Sequence, residues 1–199
     1  MRDEMTGERL PQPVHEVVGG APAPGDLELV RGFLSLHDHV AGNPDSLEPS
    51  TEAMAWWLHD RGLLPASEEP AAADLVWTLV VRNALISKVL ENMGAAPDPV
   101  ATDRLNAAVA ETGLRPRFDE DRLEANTAGT RGAVGRLLGI AFLAELDGSW
   151  HRFRRCADPT CLTVFYDRTK NHSGRWCSMQ SCGNRNKVRA FRERHAEKT

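Results

Sequence analysis

All four cysteines of this 199-residue chain fall in its last quarter, at Cys156, Cys161, Cys177 and Cys182, with the spacing C-x4-C-x15-C-x4-C. Two close thiol pairs separated by a hairpin-sized insert suit a tetrahedral zinc site, because each pair offers two thiolates from one tight turn and the insert swings the pairs together. Four ligands close the coordination sphere. No position remains for water or substrate, so the expected cofactor is one structural zinc ion that staples the fold and does no chemistry. The competing reading is two disulfides, which would suit a secreted protein. Against it, residues 1–155 contain no cysteine, and Met1 to Gly25 is acidic and rich in Pro and Gly where a signal peptide would be basic and then apolar. The longest apolar runs, such as Leu137 to Ala144, fall short of a membrane span. The expectation is a soluble cytoplasmic protein with reduced thiols, zinc-bound cysteines and no membrane partner.

The residues after Cys182 extend this reading. Gly183-Asn184-Arg185 runs into Asn186 to His195, a predicted helix on which Val188, Phe191 and His195 share one side and Arg185, Arg189 and Arg192 a neighbouring stripe. A basic helix is thereby tied to the metal. Between the cysteine pairs, Leu162, Val164 and Tyr166 alternate with Thr163, Phe165 and Asp167 before a polar turn at Lys170 to Gly174 and then Arg175-Trp176. The implied order is knuckle, hairpin, knuckle, helix.

The runs Arg155-Cys156-Ala157-Asp158-Pro159-Thr160-Cys161, Phe165-Tyr166-Asp167, Arg175-Trp176-Cys177-Ser178-Met179 and Cys182-Gly183-Asn184-Arg185-Asn186-Lys187 resemble the CGNR zinc finger, named for the tetrapeptide at 182–185. That finger usually follows a largely helical region called the ABATE domain, in a family described as stress-induced transcription regulators. The resemblance covers nearly the whole chain and implies zinc binding, DNA binding and transcription regulation under stress. Members tend to carry an Asn-Thr pair in their first helix, where this sequence has His37-Asp38-His39.

Charge separates the two ends of the chain. The net charge of -4 combines a segment from Trp150 to Thr199 with 12 Lys and Arg against 4 Asp and Glu, and a remainder with 12 against 24. A zinc ion with four thiolates adds about -2 to the finger, which stays distinctly basic. This asymmetry points to a polyanion for the C-terminal part, with the acidic body held away from it. An internal match, the basic finger lying on its own acidic body, is the alternative.

Upstream, the expected class is mainly α: a flexible lead at 1–25, a helical ABATE-like domain with a small β-hairpin at 26–149, and the finger at 150–199. Asp26 would cap a first helix carrying Val30, Phe33, Leu34, His37 and Val40 and ending near Gly42. Ser50 would cap a second helix through Met54, Trp57, Leu58 and Arg61, stopped by Gly62. Trp56 and Trp57 point about 100° apart on a helix, so one is core and the other partly exposed. The longest helix, Ala72 to Met93, presents Leu75, Leu79, Ile86, Leu90 and Met93 as a stripe widened by Val76, Val80 and Val89. Arg82 interrupts that stripe, either as a snorkelling or salt-bridged side chain or as an anion anchor in a ligand pocket. Pro99 opens a helix with Leu105, Ala108 and Val109 that closes at Gly113. A hairpin about Asp119-Glu120-Asp121 follows, and near Thr130 a last helix begins, lined by Val134, Leu137, Leu138, Ala141, Phe142 and Leu146.

The sequence carries no Gly-rich phosphate loop, Gly-x-Ser-x-Gly elbow or His-Glu-x-x-His pair, and no enzyme activity is expected. The foremost reading is a DNA-binding transcription regulator using Arg185, Lys187, Arg189, Arg192 and Arg194 on double-stranded DNA, with the body as a sensing or dimerising domain. The alternatives are an RNA-binding or protein-interaction module in which Tyr166 or Trp176 stacks on its partner, and a redox or zinc sensor. A homodimer is compatible with each.

Overall fold

The computed structural model describes residues 21–36, 51–161 and 163–196. His37, Asp38 and His39, the Ser50 cap and most of the N-terminal lead lie outside them. The architecture is mainly helical: α1 (Leu27–Ser35), α2 (Thr51–Asp60), α3 (Ala72–Glu91), α4 (Pro99–Thr112), the hairpin β1 (Arg115–Arg117) and β2 (Arg122–Glu124), α5 (Gly129–Asp147), the hairpin β3 (Phe153–Arg155) and β4 (Val164–Tyr166), and α6 (Asn184–Ala196). Both hairpins are antiparallel, with Pro116 opposite Leu123 in the first and Arg154 opposite Phe165 in the second.

Local signals place several boundaries. Pro99 opens α4, the Asp98 carboxylate accepts the Ala101 N–H, and Gly113 ends the helix in the left-handed conformation at φ 61°. α1 is shorter than its periodicity predicts, because Leu36 is already extended. The reason is Arg82. Its guanidinium, from the middle of α3, donates to the carbonyls of Phe33 (3.0 Å), Leu34 (2.9 Å) and Leu36, which a continuing helix would have claimed. Arg82 is buried and its guanidinium serves the main-chain oxygens that end α1 in place of an anion. Arg82→Met is expected to lower stability by about 3 kcal/mol, since charge-assisted hydrogen bonds are lost and buried carbonyls left unpaired. Urea unfolding checks this, the midpoint falling while the slope stays constant.

The core also corrects the predicted face of α3. Leu75, Thr78, Val81, Arg82, Ala84, Leu85 and Val89 are buried, whereas Val76 stands 56% exposed and Val80 and Met93 are also exposed. Apolar residues occur around most of the circumference, so periodicity could not choose the arc that α1, α4 and α5 cover. On α5, Val134, Leu137, Leu138 and Ala141 are buried as expected, but Phe142 and Leu146 point outward. Of the tryptophan pair, Trp57 is core, against Phe33 with ring centroids 5.8 Å apart, and Trp56 is exposed. Gly135 and Gly139 let the first hairpin lie close to α5. A Cβ at 135 would come within 2.7 Å of Ala125 Cβ, and one at 139 within 3.0 Å of Leu123 Cβ.

The core continues past α5. Gly148, at φ 80°, turns the chain into one 3-10 turn (Ser149–Arg152), and Trp150, Phe153, Val164 and Tyr166 join the same hydrophobic cluster as α1, α3 and α5. Phe153 lies 5.1 Å from Trp150 and 5.4 Å edge-on from Tyr166. Hydrogen bonds secure the seam: Ser35 Oγ donates to Val164 O (2.6 Å), and Asn92 Nδ2 to Trp150 O (2.9 Å) and Phe153 O (3.2 Å). Among the described residues, no helix is long and apolar enough to cross a membrane.

Candidate metal centre and basic helix

The first cysteine pair sits in the turn of the β3–β4 hairpin, so the strands flank that pair and only β4 lies between the two pairs, where the sequence pattern suggested a whole hairpin. Cys156 N–H donates to Thr163 O (2.8 Å), which holds the loop closed. Inside it, Asp158-Pro159-Thr160-Cys161 forms a β-turn with Cys161 N–H on Asp158 O (3.0 Å), Asp and Pro occupying the positions such a turn favours. The Asp158 carboxylate accepts from Thr160 N–H (3.0 Å) and Thr160 Oγ1 (2.8 Å). β4 is buried on both faces: Val164 and Tyr166 belong to the body's core, and Phe165 packs on the cysteines. This is why the alternation of its side chains does not separate core from solvent.

The second pair comes from the segment after the polar turn. Asp167 anchors that turn, accepting N–H groups from Thr169 (2.9 Å) and Gly174 (2.7 Å). Ala157 N–H then bonds Arg175 O (2.8 Å), joining the two knuckles. A π-type turn (Met179–Gly183), closed by Gly183 N–H on Ser178 O at 2.9 Å, delivers Cys182 and leads directly into α6.

All four sulfurs lie within 4.8 Å of one another and all four cysteines are buried. Cys161 Sγ is 3.5 Å from Cys177 Sγ, which is 3.6 Å from Cys182 Sγ. A tetrahedron with Zn–S bonds of about 2.3 Å needs sulfurs about 3.8 Å apart, whereas a disulfide needs about 2.05 Å. The cysteines are unbridged, which removes the disulfide reading. Four thiols this close cannot all ionise without a cation among them. Hydrogen bonding with Cys161 pushes Cys156 up to about 11, contacts with Cys156 and Cys161 hold Cys177 far above the ordinary thiol range, and Cys161 is drawn down by Cys156 and Cys177. A dication offsets that repulsion and keeps all four as thiolates. The Thr163 hydroxyl lies 3.2 Å from Cys161 Sγ, and Arg185 Nη2 donates to Cys182 Sγ at 3.1 Å, both suited to stabilising thiolate charge.

The tetrapeptide at 182–185 has a structural reason at each position. Cys182 is a ligand. A Cβ on Gly183 would come 3.0 Å from Met179 Sδ and 3.4 Å from Trp176 Cδ1. Asn184 Nδ2 reaches back to Gln180 O (3.3 Å). Arg185 Nε donates to Asp158 Oδ2 (2.8 Å), and Asn186 Nδ2 donates to the same oxygen (3.0 Å) and to Cys182 O (2.8 Å). Burial works to raise the fully buried Asp158 carboxyl, yet Thr160 and Arg185 hold it below the ordinary carboxylate range. The partners of Arg185 are thus Asp158 and the ligand Cys182. Asp158→Ala is expected to loosen the finger by about 2–3 kcal/mol, and Arg185→Ala by less, because Asp158 keeps its Thr160 and Asn186 donors. Chelator competition for the bound zinc measures both.

The remaining basic residues are placed differently. Lys187, Arg189, Arg192 and Arg194 are exposed, and among the described residues none forms an ion pair with the acidic body; Arg189 Nη2 bonds Asn186 Oδ1. Val188 (49%) and Phe191 (56%) are exposed as well, and the Phe191 ring meets His195 edge-on at 4.2 Å. Among the described residues, α6 is therefore held chiefly through its first turn. Tyr166 is buried in the core, whereas Trp176 is half-buried with the exposed Arg175 guanidinium 5.4 Å from its ring centroid.

A closed four-thiolate cluster with a braced helix leaving its last ligand defines a zinc-binding module of the structural kind. Residues 152–195 match the family model of the CGNR zinc finger. No curated protein matches the chain.

Proposed function

We propose that this protein is a zinc-dependent, DNA-binding transcription regulator in which the basic finger contacts double-stranded DNA and the helical body senses a ligand or dimerises. The observation that carries the reading is α6, a 13-residue helix with Lys187, Arg189, Arg192 and Arg194 exposed and only Glu193 opposing them among its described residues. At 1.5 Å per residue it extends about 20 Å, and the major groove admits a helix of this kind. The internal match of charge is disfavoured by the lack of ion pairs from these four residues to the described body. The resemblance to ABATE-domain regulators of the stress response points the same way.

For the body, Phe142 and Val109 are exposed at a groove of about 250 Å³ between α3, α4 and α5, which suits either sensing or dimerisation. The shared core through Trp150, Phe153 and Tyr166 would carry an event in the body to the finger. The reading is tested by charge removal on the zinc-loaded full chain. Arg192→Ala and Arg189→Ala, each removing a phosphate contact, are expected to weaken binding to all duplex sequences alike. Unchanged binding by both variants would contradict it.

A further inference from the structure

Beside the first turns of α6 lies a cleft of about 350 Å³, walled by Arg175, Trp176, Gly183, Asn186, Lys187 and Arg189. The main chain beneath it is fixed, since Arg175 O accepts the Ala157 N–H and Trp176 packs on the four-cysteine cluster. The missing side chain at Gly183 lets the edge of the indole lie along the helix. Three cations, an amide and a partly exposed aromatic ring thus converge on one concave surface, with Glu193 as the single anion at its far end.

We propose that this cleft takes one unstacked nucleotide of the bound DNA, its base against the Trp176 indole and its phosphate among Arg175, Lys187 and Arg189. The inference rests on the DNA-binding reading and adds the form of DNA preferred. Inside a paired duplex both faces of each base are covered, so a base meets an indole only after leaving the stack. Arg175 now lies over the indole at 5.4 Å from its centroid, occupying the place of a planar ligand. A cation–π contact at an exposed site is weaker than base stacking, so a base displaces the guanidinium and frees it for the phosphate. Glu193 repels a phosphate from the far end, and the start of α6 favours an anion, which orients the nucleotide. Tyr166 takes no part, being buried in the core.

The test uses the zinc-loaded full chain and three probes of one arbitrary sequence: a paired duplex, the same duplex with one unpaired 2-aminopurine nucleotide, and the single strand carrying 2-aminopurine. The expected result is affinity for the duplex with the unpaired nucleotide about tenfold above that for the paired duplex, with 2-aminopurine fluorescence quenched by stacking. Trp176→Leu should abolish the quench and the preference, and Trp176→Phe should retain both. Should Trp176→Leu release zinc, Arg175→Ala decides: its side chain bonds no ligand cysteine, and loss of the tenfold preference with zinc retained supports the proposal, whereas an unchanged preference overturns it. Equal affinity for paired and unpaired duplexes, or a quench that survives Trp176→Leu, also overturns it and leaves the duplex-binding reading standing. Failure of all three probes to bind overturns both.

Discussion

Replacing Cys177 by serine is expected to bring bound zinc from about one ion per chain to near zero and to melt α6. Cys177 lies within 3.6 Å of both Cys161 and Cys182, so its loss opens the cluster at its centre. The apolar support around the metal consists of the cysteines themselves, Phe165 and part of Trp176, too little to hold the segment without the ion. Zinc binding in small fingers is worth about 10–16 kcal/mol at neutral pH and is coupled to folding. α6 has 13 residues and is held through its first turn, and a helix of that length does not persist alone in water. The far-UV circular dichroism should therefore lose the signal of about one such helix. The body is expected to keep most of its helices but to melt at a lower temperature, because Phe153, Val164 and Tyr166 complete its core from the finger side. Full metal content with unchanged ellipticity would remove the assignment of the four cysteines as ligands.

How much of this was readable beforehand follows the range of the interactions involved. The metal ligands were legible because their chemistry lies in a spacing of a few residues, as were Pro99, Gly113 and Gly62, whose effects on the backbone are local. The Asp158–Arg185–Asn186 brace was not, since its partners are 27 and 28 residues apart and an exposed-looking carboxylate in a turn gives no sign that it will be buried. Its one signal is Asn186, the asparagine directly after the tetrapeptide, which only the folded arrangement explains. The position of the second hairpin is not legible in the sequence because β4 is apolar on both faces, one meeting the body and the other the cysteines. Arg82 stands out in the sequence as an anomaly on an apolar stripe, yet its partners, the carbonyls ending α1, lie 46 to 49 residues away. The exposed face of α3 and the outward Phe142 and Leu146 show that residue type alone does not determine burial when apolar residues exceed what neighbouring elements can cover.

The proposal that α6 binds DNA is tested most directly by the affinity of the zinc-loaded full chain for duplex DNA as a function of salt. Arg185 is committed to Asp158 and Cys182, which leaves Lys187, Arg189, Arg192 and Arg194 on the helix for phosphates. Each phosphate neutralised on duplex DNA adds about -0.9 to the slope of log affinity against log salt, so three or four contacts give roughly -3 to -4. Arg192→Ala should reduce the slope by about 1 with zinc content unchanged, and Arg185→Ala should act through a weaker hold on zinc. The account predicts that slope, and its loss when zinc is removed. Affinity that is the same at low and high salt with the finger intact, or no affinity for duplex DNA at low salt, would contradict it.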